Sequence, residues 1–198
     1  SAAIRVAARR GDRRRGSLTH EPCPQRSLAM PAAHESRIQL QRTVHVLHNS
    51  EHPASVFSIL DNGTKTITLV ADQLFDLLML KMTSIYTSKK QTRLEAKGPR
   101  FELGDFLVKL GTVSMGQNFK GVLVEVEYRP CMVPGNCWEL LREFMQGFLG
   151  TCVPNTTPQY FQEKNNRLND MYQPTDTIHQ YLEHFSMFRK TSGVLTYS

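Results

Sequence analysis

Residues 121–129 contain the side chains of this chain that are best suited to chemistry. Glu125, Glu127 and Arg129 alternate with apolar residues, so in a strand they share one face. Alternating carboxylates inside a barrel can hold a divalent cation while basic side chains bind a triphosphate, as in metal-dependent tunnel-type triphosphatases. The opposite face, which includes Val124 and Val126, is the more apolar. We therefore expect the valines to face the core and the glutamates to point outward, which leaves the triphosphatase as an alternative function.

Histidine is the other residue type that could do chemistry here. His45, His48 and His52 are close in sequence, but His45 and His48 point to opposite faces of a strand and no nearby Cys or acid completes four ligands. No nucleophile elbow, phosphate-binding loop or zincin motif occurs in the sequence. We therefore predict no catalytic residue, no metal site and no cofactor.

The cysteines do not form a disulfide framework. The four are irregularly placed, and no two form a Cys-x-x-Cys pair, which fits a reducing compartment. Cys131 and Cys137 flank the loop that leads into a predicted helix. A bridge between them is the alternative to two ordinary buried thiols.

The stretch 104–150 predicts a hairpin followed by a helix. Apolar residues alternate in steps of two on either side of a glycine-bounded turn, and the period becomes helical at Asn136. Asn136 can cap this helix, Glu139 can complete a capping box, and Gly150 suits the left-handed residue at its end. The predicted buried stripe consists of Leu140, Leu141, Phe144, Met145 and Phe148.

Further elements flank this hairpin on both sides. Residues 43–48, 55–60, 66–71 and 92–97 read as short strands, with Asn62-Gly63 as a hairpin turn. Asp72 can cap a helix whose predicted buried stripe is Leu74, Leu77, Leu78, Met82 and Ile85. Pro174 and Asp176 begin a last helix, with Ile178, Tyr181, Leu182, Phe185 and Phe188 on one side. The pattern predicts an α+β fold, an antiparallel and barrel-like β-sheet with packed α-helices, in a single domain over residues 38–198.

Positive charge is concentrated at the N-terminus. Of 24 Lys+Arg and 18 Asp+Glu, residues 1–37 hold eight arginines and three acids, which leaves 16 basic and 15 acidic residues for 38–198. The composition of 1–37 predicts a disordered segment. Three interpretations stay open for it: a mitochondrial transit peptide, an arm that binds nucleic acid or acidic protein, or translated sequence of no function. Because the chain begins at Ser1 rather than Met, we expect a fragment or an incomplete gene model.

Six phrases of this sequence occur in one order that resembles a known family, subunit 20 of the Mediator of RNA polymerase II transcription, also called TBP-related-factor-proximal proteins. The resemblance covers about residues 43–190. The family has strand and helix elements ahead of the first phrase, and nothing in 1–42 resembles them. The phrases are HNSEHP (48–53), ADQLFDLLMLKM (71–82), KGPRFELGDFLVKLGTVSMG (97–116), GVLVEVEYRPC (121–131), CWELLREFMQGFLG (137–150) and the closing helix (176–190).

The resemblance implies a nuclear, non-enzymatic subunit of the Mediator head module that works by contact with other proteins. It implies pairing with subunit 18, a tether through the C-terminal helix of subunit 8, and contacts toward TBP or RNA polymerase II. No membrane contact and no direct nucleic-acid contact is expected.

A protein of this kind needs exposed apolar surface. Leu107, Val113 and Leu123 are the predicted interface residues, because they are apolar on strand faces otherwise occupied by charged residues and glycine. The alternative is that helices cover both sheet faces and these three residues are core. Leu123→Glu is expected to weaken pairing with subunit 18 and leave the fold intact.

Overall fold

The structure, a computed structural model, describes residues 2–8, 22–28, 43–89, 93–162 and 167–190. By contacts, the chain divides into two compact units. Unit 1 comprises Ser1–Leu18, Ala96–Val113 and Phe119–Ser198, and unit 2 comprises Thr19–Glu95 and Ser114–Asn118. The strands are β1 (Ala2–Ala8), β2 (Pro22–Leu28), β3 (Thr43–His48), β4 (Ser55–Asp61), β5 (Thr66–Asp72), β6 (Tyr86–Lys89), β7 (Leu94–Lys97), β8 (Arg100–Leu103), β9 (Phe106–Met115) and β10 (Asn118–Tyr128). The helices are α1 (Leu74–Lys81), α2 (Pro134–Leu149), α3 (Gln159–Gln162) and α4 (Pro174–Lys190).

The strands form two open five-stranded sheets. One has the order β1-β10-β9-β7, with β8 also paired to β9, and the other has the order β5-β4-β3-β2-β6. Antiparallel pairing and packed helices confirm the predicted α+β class. The barrel-like single sheet is wrong, because in the described part of the chain the end strands of each sheet do not pair with one another. Alternation of side chains assigns the two faces of a strand, but it does not assign the strand's neighbours.

Two strands lie within the N-terminal segment that composition predicted to be disordered. β1 pairs with β10 from Ala2↔Tyr128 to Ala8↔Val122. β2 pairs with both β3 and β6, so β3 has a neighbour on each side. The other residues of 1–37 lie outside the described ranges, and the hypotheses for their role stay predictions.

The hairpin and helix predicted for 104–150 are confirmed in unit 1. β9 and β10 meet at a turn where Gly116 has a φ of 61°. The apolar face of this hairpin packs against α2, with Val108, Val124 and Val126 against Trp138 and the next buried turn of the helix. Gly98 precedes β8, and a Cβ there would lie 1.5 Å from the carbonyl oxygen of Leu110, so only glycine fits.

The ends of α2 are predicted in part. Gly150 ends the helix with a φ of 57°, as expected. The cap at Asn136 is wrong: the helix begins at Pro134 and Val133 precedes it, with no side-chain cap. Proline at the first helical position has no N–H that needs a hydrogen-bond partner, so the helix can begin there without a side-chain cap.

Unit 2 is built on the second sheet. β3, β4 and β5 follow the predicted strands, and the Asn62 side chain accepts hydrogen bonds from the backbone of Thr64 and Lys65 in the predicted turn. A small core on this sheet contains Val44, Val46, Val56 and Met79, with Leu60, Phe75 and Tyr86 packed against it. Among the described residues, no helix has both the length and the apolar character needed to cross a bilayer.

Candidate protein-interaction surface

The three predicted interface residues lie in the interior of this chain. Leu107 is 5% exposed, Val113 0% and Leu123 3%. They match the alternative interpretation, in which these side chains belong to the core. Their contact with a partner stays a prediction, but Leu123→Glu is no longer expected to leave the fold intact, because it would bury a carboxylate.

Helices explain this burial, since unit 1 covers both faces of the β9–β10 hairpin. α2 packs on the valine face. On the other face the hydroxyl of Tyr181 in α4 donates a hydrogen bond to Oε2 of Glu125. The predicted apolar side of α4 is confirmed: Ile178, Tyr181, Phe185 and Phe188 are buried, and Leu182 is partly buried.

Glu125 is therefore not on the surface, and the outward orientation predicted for it is wrong. Its side chain is 6% exposed, and its Oε1 lies 3.4 Å from Nζ of Lys109, which is 11% exposed. The register pairs Arg5 with Glu125. Both carboxylate oxygens are thus held by groups of the protein itself, Lys109 and Tyr181. Lys109 on β9 and Glu125 on β10 tolerate burial on this face of the hairpin because their charges are paired.

Glu125 on β10 and Arg129 just after it do not share one cluster, as a triphosphate site would require. Nη2 of Arg129 lies 2.8 Å from Oε1 of Glu102, and Nη2 of Arg100 lies 3.0 Å from the same oxygen, all at the surface. Hydrogen bonds from Arg129 and then Arg100 hold the pKa of Glu102 below its usual value. Glu125 and Arg129 therefore serve two separate clusters, one buried and one exposed.

The histidines and cysteines also have partners within the protein. Nε2 of His48 lies 3.4 Å from Oδ1 of Asp76, and the ring of His52 packs edge-on against Phe57. Cys131 and Cys137 are free thiols that both donate to the carbonyl of Val133, so the alternative disulfide is wrong. Burial, and then contact with Cys131, raises the pKa of the Cys137 thiol to about 12. Within the described ranges, no three His, Cys, Asp or Glu side chains are arranged to hold a metal.

The most apolar exposed region lies in unit 2, on β5 and α1. Four leucines of α1 are between 51% and 65% exposed, and the apolar residues of β5 are exposed at the end of their sheet. We call this region the β5–α1 surface. Its members are Ile67, Leu69, Val70, Leu74, Leu77, Leu78, Leu80 and Ile85.

This surface overturns the buried stripe predicted for α1. Met79 is the one buried residue of the helix, with Phe75 partly buried beside it, while Leu74, Leu77 and Leu78 are exposed. An α-helix that is apolar on all sides is normally buried all round. The signal was present in the sequence, since Leu80 and Met79 extend the apolar residues of LFDLLMLK beyond one stripe. These exposed apolar side chains make the β5–α1 surface a candidate region for binding a partner.

Three comparisons bear on the identity of the chain. A family model described as TATA-binding related factor (TRF) of subunit 20 of Mediator complex matches residues 19–186. The match therefore starts ahead of the first recognisable phrase at residue 48 and includes β2. A solved inorganic triphosphatase is 17% identical to this chain. The alignment covers 65% of this chain and 75% of the triphosphatase, and the TM-score of 0.33 is too low to support an inference about function.

Curated relatives agree with the family model. The protein named Mediator of RNA polymerase II transcription subunit 20 from Aedes aegypti is 66% identical over 160 residues, 78% of this chain and 73% of the relative. The protein of that name from Drosophila melanogaster is 53% identical, and the alignment covers 75% of this chain and 64% of the relative. The one from Homo sapiens is 44% identical, and the alignment covers 80% of this chain and 72% of the relative. With a family model over most of its length and relatives at these identities, the chain belongs to the Mediator subunit 20 family.

Proposed function

We propose that this chain is a non-enzymatic subunit of the Mediator head module, which links regulators to RNA polymerase II in the nucleus. Its partners are subunit 18 and the C-terminal helix of subunit 8, with further contacts toward TBP or the polymerase. The observation that carries the proposal is 66% identity to a protein named as Mediator subunit 20 over 78% of the chain.

The β5–α1 surface supports a function in protein binding. Burying large apolar side chains contributes about 25 cal/mol per Å² of apolar area removed from water. α1 already uses Phe75 and Met79 to pack on its own sheet, so its exposed leucines are available to a partner. We therefore assign the main partner contact, with subunit 18, to this surface.

Co-expression with subunit 18 tests the proposal. The wild-type chain is expected to co-purify with subunit 18 in a stoichiometric complex, and Leu77→Glu is expected to reduce the yield about tenfold or more, because it places a carboxylate in an apolar contact. Leu103→Glu is the matched control, since Leu103 in unit 1 is 54% exposed and Leu77 is 55% exposed. Normal yield with Leu77→Glu would show that the surface does not bind subunit 18.

Purified chain assayed for metal-dependent triphosphate hydrolysis tests the non-enzymatic part of the proposal. We expect no turnover above background. Turnover that requires the metal and disappears in Glu125→Gln would replace the proposal with the triphosphatase alternative.

We also propose that residues 38–198 unfold as a single domain. Trp138 is the only tryptophan of the chain and lies buried in unit 1, so its fluorescence follows that unit alone. Far-ultraviolet circular dichroism follows both units. The two denaturation curves are expected to coincide, and two separate midpoints would divide the domain.

A further inference from the structure

On α2, two apolar side chains beside the buried stripe stay exposed in the described part of the chain. Leu141 and Met145 face the sheet, together with Cys137 and Trp138. Leu140 and Phe148, which the sequence predicted to be buried, are exposed, and Phe144 between them is partly buried. Leu140, Phe144 and Phe148 are four residues apart, so they form a line along the helix beside the buried stripe.

Aromatic rings continue this line onto the sheet. The rings of Phe144 and Phe106 stack with centroids 4.0 Å apart, and Phe106 lies 5.0 Å from Tyr128. Phe148 contacts Phe144 edge-on with centroids 5.5 Å apart. We call the set Leu140, Phe144, Phe148, Phe106 and Tyr128 the aromatic row. It is held in place by ring contacts but remains open to solvent at Leu140 and Phe148.

Gly147 next to Phe148 leaves room for close approach. A Cβ built there meets nothing within 4 Å, so the fold does not require a glycine at this position. Glycine lowers the stability of a helix interior relative to alanine. Small residues beside an apolar stripe let the backbone of a second helix approach closely.

The charge beside the aromatic row indicates which charge a partner helix would have. α2 has three charged residues, Glu139, Arg142 and Glu143. Arg142 pairs with Glu139 and also donates to the carbonyl of Asn155, so it is engaged. Glu143 lies at helical spacing from Leu140 and Gly147 and has no ion pair or hydrogen bond within the described residues. A carboxylate at the edge of an apolar row favours a basic residue in the partner.

We propose that the aromatic row binds an amphipathic helix of another Mediator subunit, with Leu-type side chains against Leu140 and Phe148 and a Lys or Arg opposite Glu143. This second interface deepens the proposed function, and it lies in unit 1, apart in sequence from the β5–α1 surface. Its spacing of anchors at i, i+4 and i+8 fits helix-to-helix packing.

Photo-crosslinking identifies the occupant. The full chain carrying Phe148→p-benzoylphenylalanine is expressed in cells, and nuclear extract is irradiated before denaturing purification and peptide mass spectrometry. The expected product is a crosslink to a Mediator segment with apolar residues at i, i+3 or i+4 and i+7, and with Lys or Arg on its flank. Glu139→p-benzoylphenylalanine is the control, because Glu139 lies on the opposite side of the helix, and it is expected to miss that segment.

Binding of the crosslinked segment, made as a synthetic peptide, then tests the contacts by fluorescence anisotropy. Phe148→Lys is expected to weaken binding about tenfold or more, and Glu143→Lys about two- to fivefold. A peptide in which the basic residue is changed to Glu should bind the Glu143→Lys variant as well as the original peptide binds the wild type. Gly147→Ala should raise the melting temperature of the free chain and lower its affinity for the peptide, which a purely structural glycine would not do.

Several results would overturn the proposal. They are crosslinks from position 148 to a second copy of this chain, to residues 9–21, 29–42 or 191–198 of the chain itself, or to a strand or loop, and the absence of any crosslink. Equal binding by Glu143→Lys and the wild type would also overturn it. Failure of the β5–α1 surface is a separate result, because it is measured by the yield of subunit 18 with Leu77→Glu.

Discussion

β10 in unit 1 and α1 in unit 2 contradict the usual rule of burial in opposite ways. On β10, Glu125 is buried although the opposite face of the strand, with Val122, Val124, Val126 and Tyr128, is the more apolar one. On α1, Leu74, Leu77 and Leu78 are exposed although the helix contains a single acid and a single lysine. Charge is inside in the first element and apolar surface is outside in the second.

β10 and α1 differ in how many of their faces are covered by other elements. β10 lies between two helices of its own unit, so the face with Glu125 is covered and its charge must be paired by Lys109 and Tyr181. In the described part of the chain, α1 packs on one sheet through Phe75 and Met79. We therefore interpret a buried charge in unit 1 as part of the fold, and exposed leucines in unit 2 as a binding surface.

The largest effect is expected from Lys109→Met, which tests the buried charge. It removes the ammonium and leaves the carboxylate of Glu125 buried, so the free energy of unfolding should fall by about 3–5 kcal/mol. Urea denaturation followed by Trp138 fluorescence measures it.

A second variant separates charge from packing. Lys109→Met/Glu125→Leu removes both charges and should recover most of the lost stability, because no unpaired charge stays in the interior. A single Lys109→Met variant as stable as the wild type would mean that the buried carboxylate of Glu125 does not depend on Lys109.

Leucine-to-alanine changes in two helices give an intermediate effect and compare the units directly. Leu141→Ala removes a fully buried side chain and should cost about 2–5 kcal/mol. Leu77→Ala removes an exposed one and should change the stability of the isolated chain by less than about 0.5 kcal/mol. Thermal denaturation of both variants in one buffer measures the difference. A large loss for Leu77→Ala would mean that the chain itself covers α1 in solution.

The smallest effect concerns the exposed ion pairs of Glu102 with Arg129 and Arg100. The folded-state pKa of Glu102 is lowered by Arg129 and Arg100, so its contribution to stability is present above the unfolded pKa and is lost as pH falls through the folded pKa. Carboxyl NMR titration should give a midpoint below that of an ordinary glutamate. Arg129→Gln should raise this midpoint more than Arg100→Gln, since Arg129 is the larger cause. Equal midpoints in all three proteins would contradict the pairing, and little change in melting temperature is expected because the pair is exposed.

The elements were predicted better from the sequence than their surroundings were. The strand Thr43–His48, the turn at Asn62, the β9–β10 hairpin and the end of α2 at Gly150 were all found from alternation and turn residues. These signals are local, because each depends on residues within a few positions of one another. The start of α2 was missed by three residues, since the cap was expected at Asn136 and Val133 occupies that position, with Pro134 beginning the helix.

The predicted interface shows what local signals omit. Leu107, Val113 and Leu123 were selected because their strand face also has charges. That face lies under α4, a helix distant in sequence: Glu125 on this face and Tyr181 of α4, which are in contact, are 56 residues apart. The exposed leucines of α1 could have been selected instead, from the fact that apolar residues surround the helix. To identify these leucines as exposed, one must know that α1 packs on its sheet through Phe75 and Met79, which the sequence does not show.

The family, the α+β class and the order of the elements could be read from the sequence, because they follow from motifs and from periodicity along the chain. Long-range packing was needed to show that the sheets are open, that Glu125 is buried and that the leucines of α1 are exposed. The physical reason is that burial depends on which distant element covers a face. Periodicity shows that a helix or strand has two unlike sides, but only packing determines whether one side or both are removed from water.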